Sequence, residues 1–147
     1  MSVELAKSAG YCAGVRMAVQ KAMDAPAGEY VTLGAIIHNK NVELRLEERD
    51  TYAVNSVEEV PEGRGVIIRS HGVTKAVYDE LERRGIDYID ATCPHVRRIH
   101  EIAMEESRAG RRVIVIGDPD HPEVQGILGW CRGGAVVSCA EDVDRLL

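Results

Sequence analysis

The chain has 147 residues and a mass of 16.1 kDa, room for one ordinary domain or one and a half small ones. Hydrophobic residues at 45% and charged residues at 29% exclude disorder, and with no Phe and one Trp the core falls to Val, Ile, Leu and Ala. A formal charge of −6 excludes a general nucleic-acid binder, so any bound anion must be gripped locally by a few aimed donors.

Taken in chain order, Val3–Ala6 reads as a first strand and Val15–Ala25 as a helix, with Cys12 between them in Ala-Gly-Tyr-Cys-Ala-Gly-Val. A strand at Tyr30–Leu33 leads into Gly-Ala-Ile-Ile-His-Asn, which carries His38, and then a helix at Asn41–Arg49. A weak strand at Thr51–Val54 precedes an irregular loop, Asn55–Arg64, that contains Pro61 and Gly63. Gly65–Arg69 is a strand followed by Ser-His-Gly-Val, with His71, and a helix at Lys75–Arg84 stops at Gly85. Asp87–Asp90 is a strand that runs into Asp-Ala-Thr-Cys-Pro, so Cys93 immediately precedes the helix His95–Ala109, stopped at Gly110. Arg112–Ile116 is a strand ending in Asp-His-Pro-Glu-Val-Gln-Gly, which holds His121 and Glu123. A weak strand at Ala135–Ser138 and a short helix at Glu141–Leu147 complete the chain.

Strands alternating with helices, with continuous apolar strands, predict an α/β fold on a parallel sheet. The expected division is a first α/β lobe at 1–93 and an incomplete second at 94–147. A faint repeat supports two units: Tyr30–Leu33 and Arg112–Ile116 are each followed by glycine, a short loop, His and a helix. No stretch reaches the roughly 20 apolar residues of a membrane span. The N-terminus has an acidic residue and no apolar h-region, so a cytosolic protein with free or metal-bound thiols is expected.

Each candidate residue follows a predicted strand, and the carboxyl ends of parallel strands share one edge, where ligands bind. Taken singly, each has a plainer explanation: a core cysteine, a surface histidine, or a solvated carboxylate at a helix start. The settings of Cys12 and Cys93 favour thiolates, since a helix N-terminus stabilises negative sulfur. Cys131 and Cys139 lack that setting and read as structural; His100 reads as structural or surface, and His95 as a neighbour of the site. Zinc and an iron–sulfur cluster both remain open on spacing, because no close pair of ligands marks a zinc site. The histidines suit a phosphate, and Glu123 is either a solvated helix-start carboxylate or a proton donor.

The five loop motifs in this order, ending in His-Pro-Glu-Val-Gln-Gly-Ile-Leu-Gly-Trp, closely resemble the 4-hydroxy-3-methylbut-2-enyl diphosphate reductase family (IspH/LytB). The resemblance runs from about Val3 to the C-terminus. It implies a [4Fe–4S] enzyme of the methylerythritol phosphate route, which reductively removes an allylic hydroxyl to give isopentenyl and dimethylallyl diphosphates. It implies Cys12 and Cys93 as cluster ligands, His38, His71 and His121 on the diphosphate, and Glu123 as the proton donor. It further implies ferredoxin or flavodoxin as electron donor and three α/β lobes around the cluster. The family's chains are longer, and nothing here matches the later segment that carries the third cluster cysteine. A truncated reductase, completed by a C-terminal segment or self-associating, is therefore expected. The alternative is a non-catalytic diphosphate-binding or assembly fragment without the cluster.

Overall fold

The computed structural model describes residues 2–146. In chain order the elements are α1 (Ala13–Asp24), β1 (Tyr30–Leu33), α2 (Lys40–Glu47), β2 (Ala53–Val54), β3 (Gly65–Ile68), α3 (Lys75–Arg84), β4 (Tyr88–Asp90), α4 (Pro94–Arg108), β5 (Ile114–Ile116), α5 (Pro122–Leu128), β6 (Ala135–Val137) and α6 (Ala140–Leu146). A short 3₁₀ turn, Val57–Glu59, links β2 to β3. The strands form two sheets, one of four in the order β2-β1-β3-β4 and one of two, β5-β6, and every pairing is parallel. This is the expected parallel α/β architecture.

The four-stranded sheet is covered on both faces, and the two-residue period of its central strand decides what goes where. Ile67 packs on one face with Ala18 and Ala22 of α1 and with Val42 and Leu46 of α2. Val66 and Ile68 point the other way, into a cluster with Val31, Leu33 and Leu81 of α3. Gly14, Ala18 and Ala22 are the buried residues of α1, spaced four apart, and their small size lets the helix lie close on the sheet. Helix α2 starts because the Asn39 side chain accepts hydrogen bonds from the amides of Asn41 and Val42. Helix α3 ends at Gly85, whose φ of 65° is the left-handed conformation that glycine adopts without strain.

The connections place the ligand-binding crevice. The crossover from β1 runs through α2 to β2, while that from β3 runs through α3 to β4, on the opposite flank of the sheet. The loops after the adjacent strands β1 and β3 therefore part to opposite faces and leave a gap at the carboxyl edge.

One expected strand is absent. Residues 2–9 contain no strand, and Val3 and Leu5 are 96% and 86% exposed. The alternating sequence suits a strand, but among the described residues no neighbour pairs with it, and an unpaired strand is not stable in water. Cys12 consequently follows an irregular segment rather than a strand.

The two sheets meet through α5 and the residues after it. The Trp130 indole Nε1–H donates to the carbonyl of Val73 (3.0 Å), and its ring contacts Tyr78 edge-on and stacks on His100.

Candidate active site

The carboxyl edge gathers three imidazoles from three loops. His38 follows β1, His71 follows β3, and His121 follows β5 and caps α5. The His38 and His71 ring centroids lie 5.0 Å apart, and those of His71 and His121 lie 5.8 Å apart, nearly perpendicular. His38 and His71 occupy the two loops that part at the β1–β3 gap, so the sheet topology itself brings them together.

The three rings are not equivalent. His121 Nδ1 accepts the amide of Glu123 (3.1 Å), which caps α5. His71 is half-buried, and its Nδ1 is buried without a hydrogen-bond partner. Burial, reinforced by the nearby His38, Arg69 and His121, lowers its pKa to about 4. His71 is thus neutral at physiological pH. Glu123 is partly buried in the first turn of α5, two positions beyond His121.

The two cysteines sit at helix N-termini. Cys12 is the N-cap of α1 and Cys93 the N-cap of α4, and neither side chain forms a capping hydrogen bond. The Cys93 sulfur lies where a Cβ on Gly14 would stand, so glycine in the first turn of α1 admits the second thiol to the end of the helix that Cys12 begins. These two residues suit iron. A third ligand is a different matter, because among the described residues no group of three His, Cys, Asp or Glu side chains is placed to hold a metal ion. The Cys131 thiol donates to the Ile127 carbonyl, and burial pushes its pKa up, the reverse of what a thiolate ligand needs. Cys139 is exposed just before α6 rather than packed as a structural residue. The residues present therefore fit part of a [4Fe–4S] site and not the whole of it.

Two residues not singled out from the sequence as part of the site contribute to this edge. Arg69, directly after β3, is partly buried and its Nε donates to the Gly72 carbonyl at 3.5 Å. His100, read as structural or surface, is 3% exposed and wedged between the His71–Gly72 turn and α5. Its spacing from Val96 and Ala103 along the buried face of α4 was the available signal. His95, by contrast, is exposed on the first turn of that helix. A cavity of ≈550 Å³, lined by Pro61, Gly65, Arg84 and Asp87, lies at the amino edge and is lined by none of the candidate residues.

The LytB protein family model matches residues 3–147. The chain is 40% identical over 141 residues to the 4-hydroxy-3-methylbut-2-enyl diphosphate reductase of Clostridioides difficile, covering 93% of this chain and 50% of that protein. It is 44% identical over 149 residues to the enzyme of the same name from Geobacter sulfurreducens, covering 99% and 52%. A solved structure of (E)-4-hydroxy-3-methyl-but-2-enyl diphosphate reductase, described as the terminal enzyme of the non-mevalonate pathway, superposes with a TM-score of 0.81. That structure is 39% identical, with 95% of this chain and 52% of that one covered. The Plasmodium falciparum reductase structure gives 0.87 at 27% identity, covering 96% and 46%. The chain spans about half the length of the curated relatives it matches. With a parallel α/β fold and matches over nearly its whole length, it belongs to the LytB protein family.

Proposed function

We propose that the chain supplies part of the active site of a reductase that converts 4-hydroxy-3-methylbut-2-enyl diphosphate to isopentenyl and dimethylallyl diphosphates. The observation that carries the reading is the convergence of His38, His71 and His121 at the gap between β1 and β3. In this reading the three imidazoles hold the diphosphate, and Glu123 delivers the proton that lets the allylic hydroxyl leave as water. Cys12 and Cys93 would ligate part of a [4Fe–4S] cluster, with the third cysteine supplied by a segment outside these 147 residues. The bound cluster would supply the two electrons, received from a ferredoxin or flavodoxin, and the enzyme would work in the cytosol. Residues 1–93 act as a complete α/β lobe and 94–147 as part of a second, which a complementing segment or a second copy completes. The similar proteins from Clostridioides difficile and Geobacter sulfurreducens are named as reductases, which disfavours a non-catalytic diphosphate-binding fragment.

The test is anaerobic iron–sulfide reconstitution of the chain, alone and mixed with a polypeptide carrying the remainder of the family's length, followed by dye-linked turnover. Alone, the chain should retain iron weakly and turn over little, because two thiolates cannot hold the cluster as three do. Mixed, it should gain both, and Glu123→Gln should then lower kcat by about 10²-fold or more with substrate affinity largely kept. His38→Ala or His71→Ala should instead weaken affinity. A mixture that binds iron yet never reduces the substrate would sink the proposal.

A further inference from the structure

The three histidines come from two different sheets. His38 and His71 follow strands of the four-stranded sheet, while His121 follows β5, and among the described residues no strand pairing joins the two sheets. Nor does a hydrogen bond tie one of the three rings to another among the described residues: His121 Nδ1 is taken by the Glu123 amide, and His71 Nδ1 has no partner. The 5.8 Å between His71 and His121 must therefore be set elsewhere. It is set by the way α5, which His121 caps, lies on the turn that carries His71.

Two glycines make that contact close. A Cβ on Gly126 would stand 3.5 Å from the His71 carbonyl oxygen and 3.3 Å from His100 Nε2. One on Gly129, the C-cap of α5, would run into the Thr74 side chain and stand 2.9 Å from the Thr74 Cα. Beside it the Trp130 indole donates to the Val73 carbonyl at 3.0 Å. The contact thus follows the chain from His71 to Thr74 on one side and from Gly126 to Trp130 on the other. His100 fills the space behind it, 3% exposed and stacked on Trp130, with Cε1 2.6 Å from where a Cβ on Gly72 would stand. Its Nε2 is buried without a hydrogen-bond partner, so the ring serves here as volume. A seat packed this closely takes an added methyl group only by moving one of its sides.

We propose that Gly129, helped by Gly126, is a positioning residue of the anion site: it seats α5 on the His71 turn and so holds His121 where one diphosphate bridges both sheets. The proposal rests on the diphosphate reading of the three histidines and adds the source of its selectivity. His38 and His71, 5.0 Å apart on loops of one sheet, suffice for a single phosphate. A diphosphate also reaches His121, and because its two phosphates are joined the second contact is intramolecular. Preference for two phosphates over one then resides in the seat of α5, and Gly129 acts without touching the ligand.

The test titrates inorganic pyrophosphate and, separately, inorganic phosphate into the chain and follows the His Cε1 protons by NMR. Pyrophosphate should move the His38, His71 and His121 signals, phosphate chiefly the first two, and pyrophosphate should bind about a hundredfold more tightly. Gly129→Ala should weaken pyrophosphate by about tenfold or more, since a displacement of about 1 Å suffices for that. Its phosphate affinity should stay within about twofold, because the His38–His71 pair is left in place. Thr74→Gly added to Gly129→Ala moves the space to the other side of the contact and should restore part of the preference. Leu46→Ala, a core change on α2, should lower stability and keep the preference whole. Should Gly129→Ala fail to fold, Gly126→Ala carries the same test with a smaller expected loss. An unchanged preference in the glycine variant that folds, or an equal loss for both anions, would overturn the positioning role and leave the histidine site standing. A wild-type chain that binds the two anions equally would do the same. No movement of the three histidine signals with either anion would overturn the diphosphate reading itself.

Discussion

The strands β3 and β5 have nearly the same composition and opposite fates. Gly-Val-Ile-Ile in β3 is buried at all four positions, between β1 and β4 and under helices on both faces. Ile-Val-Ile in β5 has β6 as its one strand neighbour among the described residues, and Ile114 and Ile116 remain 52% and 84% exposed. The exposed side chains continue onto α4, where Ile99 and Ile102 are also open to solvent. The contrast teaches that a branched aliphatic run fixes strand conformation, while burial depends on what flanks it.

The comparison can be broken most directly in the core. Ile67→Ala should cost about 2–5 kcal/mol in denaturant unfolding, whereas Ile116→Ala should stay within about 0.5 kcal/mol. Equal costs would mean that the two strands are equally buried in solution. Next comes the joint between the sheets. Trp130→Phe removes the donor to the Val73 carbonyl and should cost about 1 kcal/mol. Amide exchange should then quicken in β5 and β6 more than in β3, and a uniform change would argue against a separable joint.

Acid should act at the same joint. Burial lowers the pKa of both His71 and His100, the former to about 4. The unfolded chain then takes up protons at these rings first, so stability is full above about pH 6.5 and falls as the pH drops toward 4. Thermal melts across that range should show the loss, and His71→Asn should remove part of it; a pH-independent His71→Asn difference would contradict the assignment. The smallest effect on folding belongs to the exposed face. Ile114→Lys with Ile116→Lys should leave the melt nearly unchanged and suppress the self-association expected of an incomplete second lobe, read by light scattering. Persistent association in that variant would move the contact elsewhere.

Much of this was legible in the sequence, for physical reasons that name its limits. The parallel α/β pattern and the loops of His38, His71 and His121 follow from local runs, because a Val/Ile strand ending in glycine announces its own carboxyl end. Val3–Ala6 was misread because pairing is a long-range property that an alternating pattern cannot supply. Arg69 belongs to no motif that would single it out, and Cys139 reads as structural because its exposure depends on the packing of the chain's last elements. The contact of Cys93 with Gly14 has no local signature at all.

That last contact also sets a timetable. Residues 14 and 93 are distant in sequence, and they meet once the chain has wound from α1 through all four strands of the larger sheet to α4. Loops of that length close slowly compared with the local formation of a helix turn. During synthesis Cys12 must therefore wait as a solitary thiol until Cys93 has emerged and the sheet has closed. Iron offered before then meets single sulfurs, and oxidants meet an exposed one. If the two thiols hold iron as proposed, the glycine that admits the second one makes readiness for metal a late event, reached only when this part of the fold is in place.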